Sequence, residues 1–252
     1  MLDRELFAAC GDGDLAKLTE LLSNSSRGDN LPFTEMLEKA ASKGHSDIIQ
    51  YLLSFNPSYT IIDDQVIRAA IYSGSSKSFK ALSTKEPAVL NVEQERRGTP
   101  LAIALASRAS PEFLLFLLAE GADPNIYGDD TLSPLSLAAG LYPTPDIVKI
   151  LLEHGAELNG SSALAAASSM GKVDTVKYLL EKGADPNDGG TRPLPFYALH
   201  GAVEKGNHEI FKLLLEHGAD PDVRNGKGQT VLIKAQEIGN AEAIRLLEGD
   251  SN

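Results

Sequence analysis

The chain has 252 residues, a net charge of −12, a single Cys and no Trp. The negative charge argues against phosphate backbones and anionic membrane surfaces as partners, and one Cys excludes an intramolecular disulfide framework. No apolar run approaches the ~18 residues that a membrane span requires, and the first twenty residues carry several charges where a secretory signal would be apolar. We therefore expect a protein that remains inside the cell, in the cytoplasm or the nucleus.

The first third of the chain contains three patterns of helix, turn and helix. Residues 6–22 and 36–53 each hold two apolar stripes at helical spacing, separated by a glycine turn. The second pattern includes the small pair Ala40-Ala41, which lets neighbouring helices approach closely. Residues 66–82 show the same pattern in its most degenerate form. The patterns predict six short helices in this part of the chain.

The next two patterns open with clear signals for the start of a helix. One begins at Thr99-Pro100 and the other at Ser133-Pro134. A Thr or Ser hydroxyl caps free backbone N–H groups, and proline suits the first helical position because no donor is needed there. We therefore expect helices to start at Pro100 and at Pro134.

Four copies of one helix-ending signal follow. In each copy, an apolar run with a Leu-Leu pair ends at a glycine that is followed by Ala and then by Asp or Glu. These glycines are Gly121, Gly155, Gly183 and Gly218, and they lie 34, 28 and 35 residues apart. Glycine takes the left-handed conformation that closes a helix, and the proline found after three of the copies prevents the helix from resuming. A unit of about 33 residues therefore repeats along the chain.

The linkers between these units differ in length. In three linkers an Asn or Asp precedes the next helix opening by 8 residues. Ser162 follows Asn159 by only 3 residues, so we expect a truncated hairpin there. Tyr197 follows Asn187 by 10 residues, which predicts a longer or bent hairpin.

This repeat resembles the ankyrin repeat. The resemblance rests on the Thr-Pro-Leu type of opening, the small Ala-Ala pair and the Gly-Ala-Asp ending, and it covers almost the whole chain. It implies an all-α fold, an ankyrin-repeat solenoid of about eight helix-turn-helix repeats with projecting hairpin loops, in a single domain over residues 1–252. The approximate repeats are 2–30, 31–63, 64–97, 98–131, 132–160, 161–194, 195–228 and 229–252.

The resemblance also implies how the protein works. Ankyrin repeats recognise varied partner proteins through the fingertip residues of their hairpins and through the concave surface of their first helices, and they share no catalytic chemistry. We therefore expect a non-catalytic, monomeric module that binds another protein and needs neither a cofactor nor a metal.

Histidines that recur at one place in the repeat have a structural explanation. The resemblance implies that the His of Glu-His-Gly and of the helix opening hydrogen-bond the backbone between repeats. These residues are His154, His217 and His200. No nucleotide-binding glycine loop, nucleophile elbow or cysteine cluster is present in the sequence.

Three asparagines match the position at which ankyrin repeats can be hydroxylated by an asparaginyl hydroxylase. They are Asn125, Asn159 and Asn187. Their simpler role is hydrogen bonding within the hairpin, and the sequence leaves both readings open.

The candidate contact residues are those that the fold does not require. Exposed Tyr, Leu, Met and Arg side chains are the types that interface hot spots use. The candidates in the linkers are Arg96, Arg97, Tyr127, Asp129, Asp130, Arg192, Arg224 and Lys227. The candidates near the ends of first helices are Tyr72, Leu141, Tyr142, Met170, Glu204 and Lys205.

Three functions follow as hypotheses. The first is an adaptor or scaffold that binds a partner protein. The second is a regulatory inhibitor whose acidic surface masks a basic surface of a transcription factor or an enzyme, and its binding would weaken steeply with salt. The third is an enzyme with an unrecognised site, which no constellation of residues supports.

Overall fold

The computed structural model describes residues 2–24, 31–59, 61–128, 131–190 and 196–248. Within these ranges every regular element is a helix, and the only strand-like feature is an isolated bridge between Gln94 and Gly98. The all-α fold expected from the sequence is confirmed. The chain divides into two compact units, Met1–Ala122 and Asp123–Asn252. The single domain expected over residues 1–252 stays a prediction.

The described part of the first unit consists of four pairs of helices. The α-helices are α1 Leu2–Asp12, α2 Leu15–Ser23, α3 Phe33–Lys43, α4 Ser46–Phe55, α5 Asp64–Ser73, α6 Ser76–Lys85, α7 Pro100–Ala106 and α8 Pro111–Ala119. A short 3-10 helix, Pro87–Leu90, follows α6. The first helices pack in one row, α1 on α3, α3 on α5 and α5 on α7, and the second helices α4, α6 and α8 pack in another. The degenerate third pattern is therefore a genuine helix pair.

The described part of the second unit repeats this arrangement. Its α-helices are α9 Pro134–Leu141, α10 Asp146–Glu153, α11 Ala163–Ser169, α12 Val173–Glu181, α13 Ala198–Lys205, α14 His208–Glu216, α15 Val231–Ile238 and α16 Ala241–Glu248. The first helices α9, α11, α13 and α15 pack side by side, and α12, α14 and α16 form a second row. Each row buries one face of its helices against the other row.

Local sequence signals set the ends of these helices. The Thr99 hydroxyl accepts a hydrogen bond from the Ala102 backbone N–H, and the prediction that helices start at the prolines 100 and 134 is confirmed. At the other end, Gly218 takes φ +87°, and the next N–H, that of Ala219, donates to the Leu214 carbonyl at 2.9 Å. The expected left-handed glycine therefore closes α14 and satisfies one of its last carbonyls.

Small residues let the first helices approach closely. Ala167 in α11 and Ala202 in α13 are buried, as are Leu179 and Leu214 in the second row. A Cβ atom added to Gly201 in α13 would lie only 3.0 Å from a backbone nitrogen of α11. The rows of this unit are therefore held together by backbone contact that a larger residue would break.

Asparagine side chains tie each hairpin to the following repeat. The Asn125 side chain donates to the Gly155 carbonyl at 2.9 Å and accepts from the Glu157 N–H at 2.8 Å. Asn187 does the same with Gly218 and with the Asp220 N–H. The expectation that these asparagines bond within their own hairpin is wrong, because their partners lie about thirty residues further along the chain.

The hairpin after α10 is truncated, as its spacing predicts. The Ser161 hydroxyl donates to the Leu158 carbonyl at 2.6 Å, which folds the chain back within four residues. Ser162 then takes φ +62°, and α11 begins directly after it. The longer hairpin expected before Tyr197 includes residues 191–195, which lie outside the described residues.

Candidate protein-binding surface

An apolar patch is exposed on the first helices of the second unit. The patch consists of Leu141, at the end of α9, and Met170, directly after α11. Met170 is 53% exposed, and Leu141 is half-buried. The Met170 side chain lies against the backbone of α9, since a Cβ atom on Gly140 would be 3.8 Å from its Cγ. Packing of α9 against α11 therefore places the two sequence candidates on neighbouring helices and leaves part of each side chain open to solvent.

Charged candidates lie on the next first helix, α13. The Glu204 carboxylate is 3.3 Å from the ammonium group of Lys234, in α15, and Glu237 is 3.7 Å from the same ammonium. Lys205 runs along the turn after α11, where its Cε would be 3.3 Å from a Cβ atom on Gly171. The side of α9, α11 and α13 that carries Leu141, Met170, Glu204 and Lys205 is called the first-helix surface below. It combines an apolar centre with a charged border.

Tyr142 departs from expectation. Its side chain is only 9% exposed, so it is part of the core rather than a surface contact. The reason is local: α9 ends without a glycine, and Tyr142 continues in an extended conformation that is followed by Pro143. The ring therefore turns inward instead of remaining at the end of a helix.

Tyr72 is a candidate of the first unit with a largely exposed aromatic side chain. It lies on α5 and is 57% exposed. Arg96 and Arg97, in the hairpin before α7, are also exposed, and Arg96 takes φ +58° at the turn. These three residues remain candidates for contacts of the first unit.

The hairpin candidates of the second unit have different surroundings. Tyr127 is half-buried, whereas Arg224 and Lys227 are exposed. The Arg224 guanidinium donates to the Gly228 carbonyl at 2.8 Å and so stabilises its own turn. The remaining three hairpin candidates, Asp129, Asp130 and Arg192, lie outside the described residues.

A small cavity between two successive hairpins was not predicted from the sequence. Tyr127 and Pro124 line it on one side, and Glu157, Asn159 and Gly160 line it on the other. Its volume is about 50 Å³. The short spacing after Asn159 predicted a truncated hairpin but not a cavity. The cavity could not be predicted because the side chains around it come from different repeats.

Exposed apolar residues of the first unit also escaped the sequence analysis. Ile61 is 74% exposed, and Phe55, at the end of α4, is 45% exposed. Both lie beside a turn rather than in the repeated motif, so helical spacing gave no sign of their exposure.

Four of the five histidines act in backbone hydrogen bonding, and one of them is His45, whose Nε2 lies 3.0 Å from the Gly11 carbonyl. His200 Nε2 lies 3.0 Å from the Gln229 carbonyl of the following repeat, as expected. Because a carbonyl only accepts, this nitrogen carries the proton, and burial lowers the pKa of His200. His154 and His217 instead bond to Ile150 and Leu213, one turn back in their own helices, so the expected bonds between repeats are wrong for these two.

The described residues offer little for metal or nucleophilic chemistry. No group of three or more His, Cys, Asp or Glu side chains in the described ranges is arranged to hold a metal ion. The thiol of Cys10 is buried, and burial raises its pKa to about 12. A thiol with this pKa stays protonated near neutral pH and is a poor nucleophile.

Comparison with protein-family models identifies the repeat. A model described as ankyrin repeats in three copies matches residues 101–189, and a second ankyrin-repeat model, of many copies, matches residues 199–248. Together the matches cover more than half of the chain. The chain belongs to the ankyrin-repeat family. Ankyrin repeats are in general protein–protein interaction modules and typically non-catalytic.

One further comparison adds no name to the family. A search of curated proteins finds no match to the chain. None of the helices in the described residues has both the length and the apolar character needed to cross a bilayer.

Proposed function

We propose that this ankyrin-repeat protein is a non-catalytic adaptor that binds a partner protein through the first-helix surface and the adjacent hairpins. The observation that supports the proposal best is that Met170 and Leu141, at the ends of two neighbouring first helices, both leave apolar side-chain surface open to solvent. Exposed apolar anchors with a charged border are typical of protein interfaces. In the same proposal the protein is a monomer of the cytoplasm or the nucleus.

A capture experiment with matched variants tests this proposal. The partner retained by the immobilised protein is identified, and its affinity is measured for the wild type and for the double variant Leu141→Ala/Met170→Ala. A hot spot worth ~2 kcal/mol predicts roughly 30-fold weaker binding. The control is Leu115→Ala, which truncates a similarly exposed apolar residue on the second helix α8 and should leave the affinity unchanged.

The result that overturns the proposal is equal retention of every partner by the double variant. Unfolding midpoints of both variants, measured by circular dichroism, show whether the protein is intact. A loss of binding without a loss of structure supports the surface. A partner that is lost equally with Leu115→Ala would show that the effect is not specific to this surface.

The net charge of −12 favours a second candidate, a regulatory inhibitor that masks a basic surface of a transcription factor or an enzyme. Such binding depends on charge, so its affinity falls steeply as ionic strength rises. The apolar contact of the first candidate is much less sensitive to salt. Measuring the affinity for the captured partner between 50 mM and 500 mM NaCl separates the two.

A further inference from the structure

The cavity between Tyr127 and Gly160 has the size of one side-chain end rather than of a whole ligand. Its volume is about 50 Å³. A single water needs roughly 10–15 Å³ on this measure, so the cavity has room for a few non-hydrogen atoms. A planar group of four such atoms, such as a guanidinium, matches this room.

The walls of the cavity are held in place before anything binds. In the wall that contains Glu157, the two hydrogen bonds of the Asn125 side chain fix the backbone at Gly155 and Glu157. Further along the same wall, the Gly160 N–H donates to the Asp188 carboxylate at 2.6 Å. A site that is rigid before binding loses little entropy when it is filled.

The chemistry of the lining favours a cation. The described lining residues contribute one carboxylate, Glu157, one aromatic ring, Tyr127, and two side-chain amides, and they include no Lys or Arg. A guanidinium stacks on an aromatic ring and offers several donors to carboxylate and carbonyl oxygens. An ammonium is a compact point charge and has no flat face to stack on the ring of Tyr127.

We propose that this cavity accepts the guanidinium of an arginine side chain from the partner protein, with the ring of Tyr127 on one side and the carboxylate of Glu157 on the other. The proposal rests on the proposed function, since it names the residue type that the partner presents to the hairpins. The proposal also gives the truncated hairpin a role in recognition. A hairpin of ordinary length after Asn159 would add residues next to the cavity, where the arginine side chain would enter.

The test uses the full chain and small probes of known composition. The labelled protein is titrated with N-acetyl-arginine methylamide, N-acetyl-citrulline methylamide and N-acetyl-lysine methylamide, and the amide signals of Gly160 and Ser161 are followed by NMR. Citrulline has nearly the shape of arginine without its charge. We expect saturable shifts with the arginine probe and at least tenfold weaker binding of the other two.

Variants assign the binding to the cavity. Glu157→Gln and Tyr127→Ala should each weaken arginine binding about tenfold, whereas Glu153→Gln, which removes a carboxylate of the same repeat outside the cavity, should not. The Glu157 side chain makes no hydrogen bond in the described structure, so Glu157→Gln should keep the unfolding midpoint. Equal binding of citrulline or lysine, no shift at Gly160 and Ser161, or equal weakening by Glu153→Gln would each overturn the proposal.

The two proposals fail separately. If the captured partner depends on Leu141 and Met170 but the arginine probe does not bind, the arginine site is wrong and partner binding stands. If the arginine probe binds in the cavity but no partner depends on Leu141 and Met170, the first-helix surface is wrong and the arginine site stands.

Discussion

Replacement of Thr175 with valine is expected to stabilise the protein. Thr175 lies on α12, is 1% exposed, and its hydroxyl has no hydrogen-bond partner among the described residues. The positions eight residues before the helix-ending glycine in the neighbouring repeats are Ile147 and Ile210, both buried and apolar. The hydroxyl of Thr175 therefore loses its hydration on folding and gains nothing in return.

The magnitude follows from the cost of a buried group without a partner. Leaving such a polar group unsatisfied costs about 1–3 kcal/mol, and valine replaces the hydroxyl with a methyl group of nearly the same shape. Helix propensities of threonine and valine are similar, so they do not change the sign. We expect Thr175→Val to raise the free energy of unfolding by about 1 kcal/mol, which raises the melting temperature of a chain of this size by roughly 2–4 °C.

Urea unfolding followed by circular dichroism measures the effect, with two controls. Thr175→Ser keeps the hydroxyl and removes a buried methyl, so it should lower the free energy of unfolding by about 1 kcal/mol. The Thr19 hydroxyl donates to the Leu15 carbonyl at 2.7 Å, and Thr19→Val should therefore give no gain. An unchanged or lower stability of Thr175→Val would refute the reasoning, since it would mean that this hydroxyl is satisfied in solution.

Gly201→Ala should cost about 1–3 kcal/mol of stability, because its Cβ would lie 3.0 Å from the Ser169 nitrogen, whereas Gly140→Ala, whose nearest neighbour would be 3.6 Å away, should be tolerated. Equal melting temperatures of the two variants would contradict this. Burial holds the pKa of His200 below its unfolded value of about 6.5, so the contribution of His200 to the free energy of unfolding should be constant above that pH and be lost as the pH falls from there through the folded pKa. The free energy of unfolding of His200→Gln should fall less than that of the wild type between pH 7.5 and pH 5.5 in urea titrations. An equal fall would show that His200 is not the group responsible.

The helix ends were predictable because their causes are local. A hydroxyl, a proline and the next N–H groups lie within four residues at Thr99, and a glycine closes α14 within three residues of its last turn. Signals of this range are complete in the sequence itself. The truncated hairpin after Asn159 was predictable for the same reason, since its length is a count of residues.

Side-chain partners were harder to predict because they depend on the neighbouring repeat. A sequence contains no distance between Asn125 and Gly155, so it did not distinguish a bond to the next repeat from a bond within the hairpin. The rings of His154 and His217 bond to a carbonyl one turn back in their own helices, which their place in the repeat did not indicate. Tyr142 became buried through the packing around it, a tertiary effect that repeat position does not show.

The hydrogen bonds of Asn125 and Asn187 to the next repeat also have a consequence for folding during synthesis. Each joins residues about thirty positions apart, and the later partner is always the next repeat. A ribosome that adds 5–20 residues per second releases one such unit about every 2–7 seconds, far longer than a helix pair needs to form. Each newly released pair thus meets a folded neighbour that already offers its asparagine, and apolar faces spend only seconds exposed during synthesis.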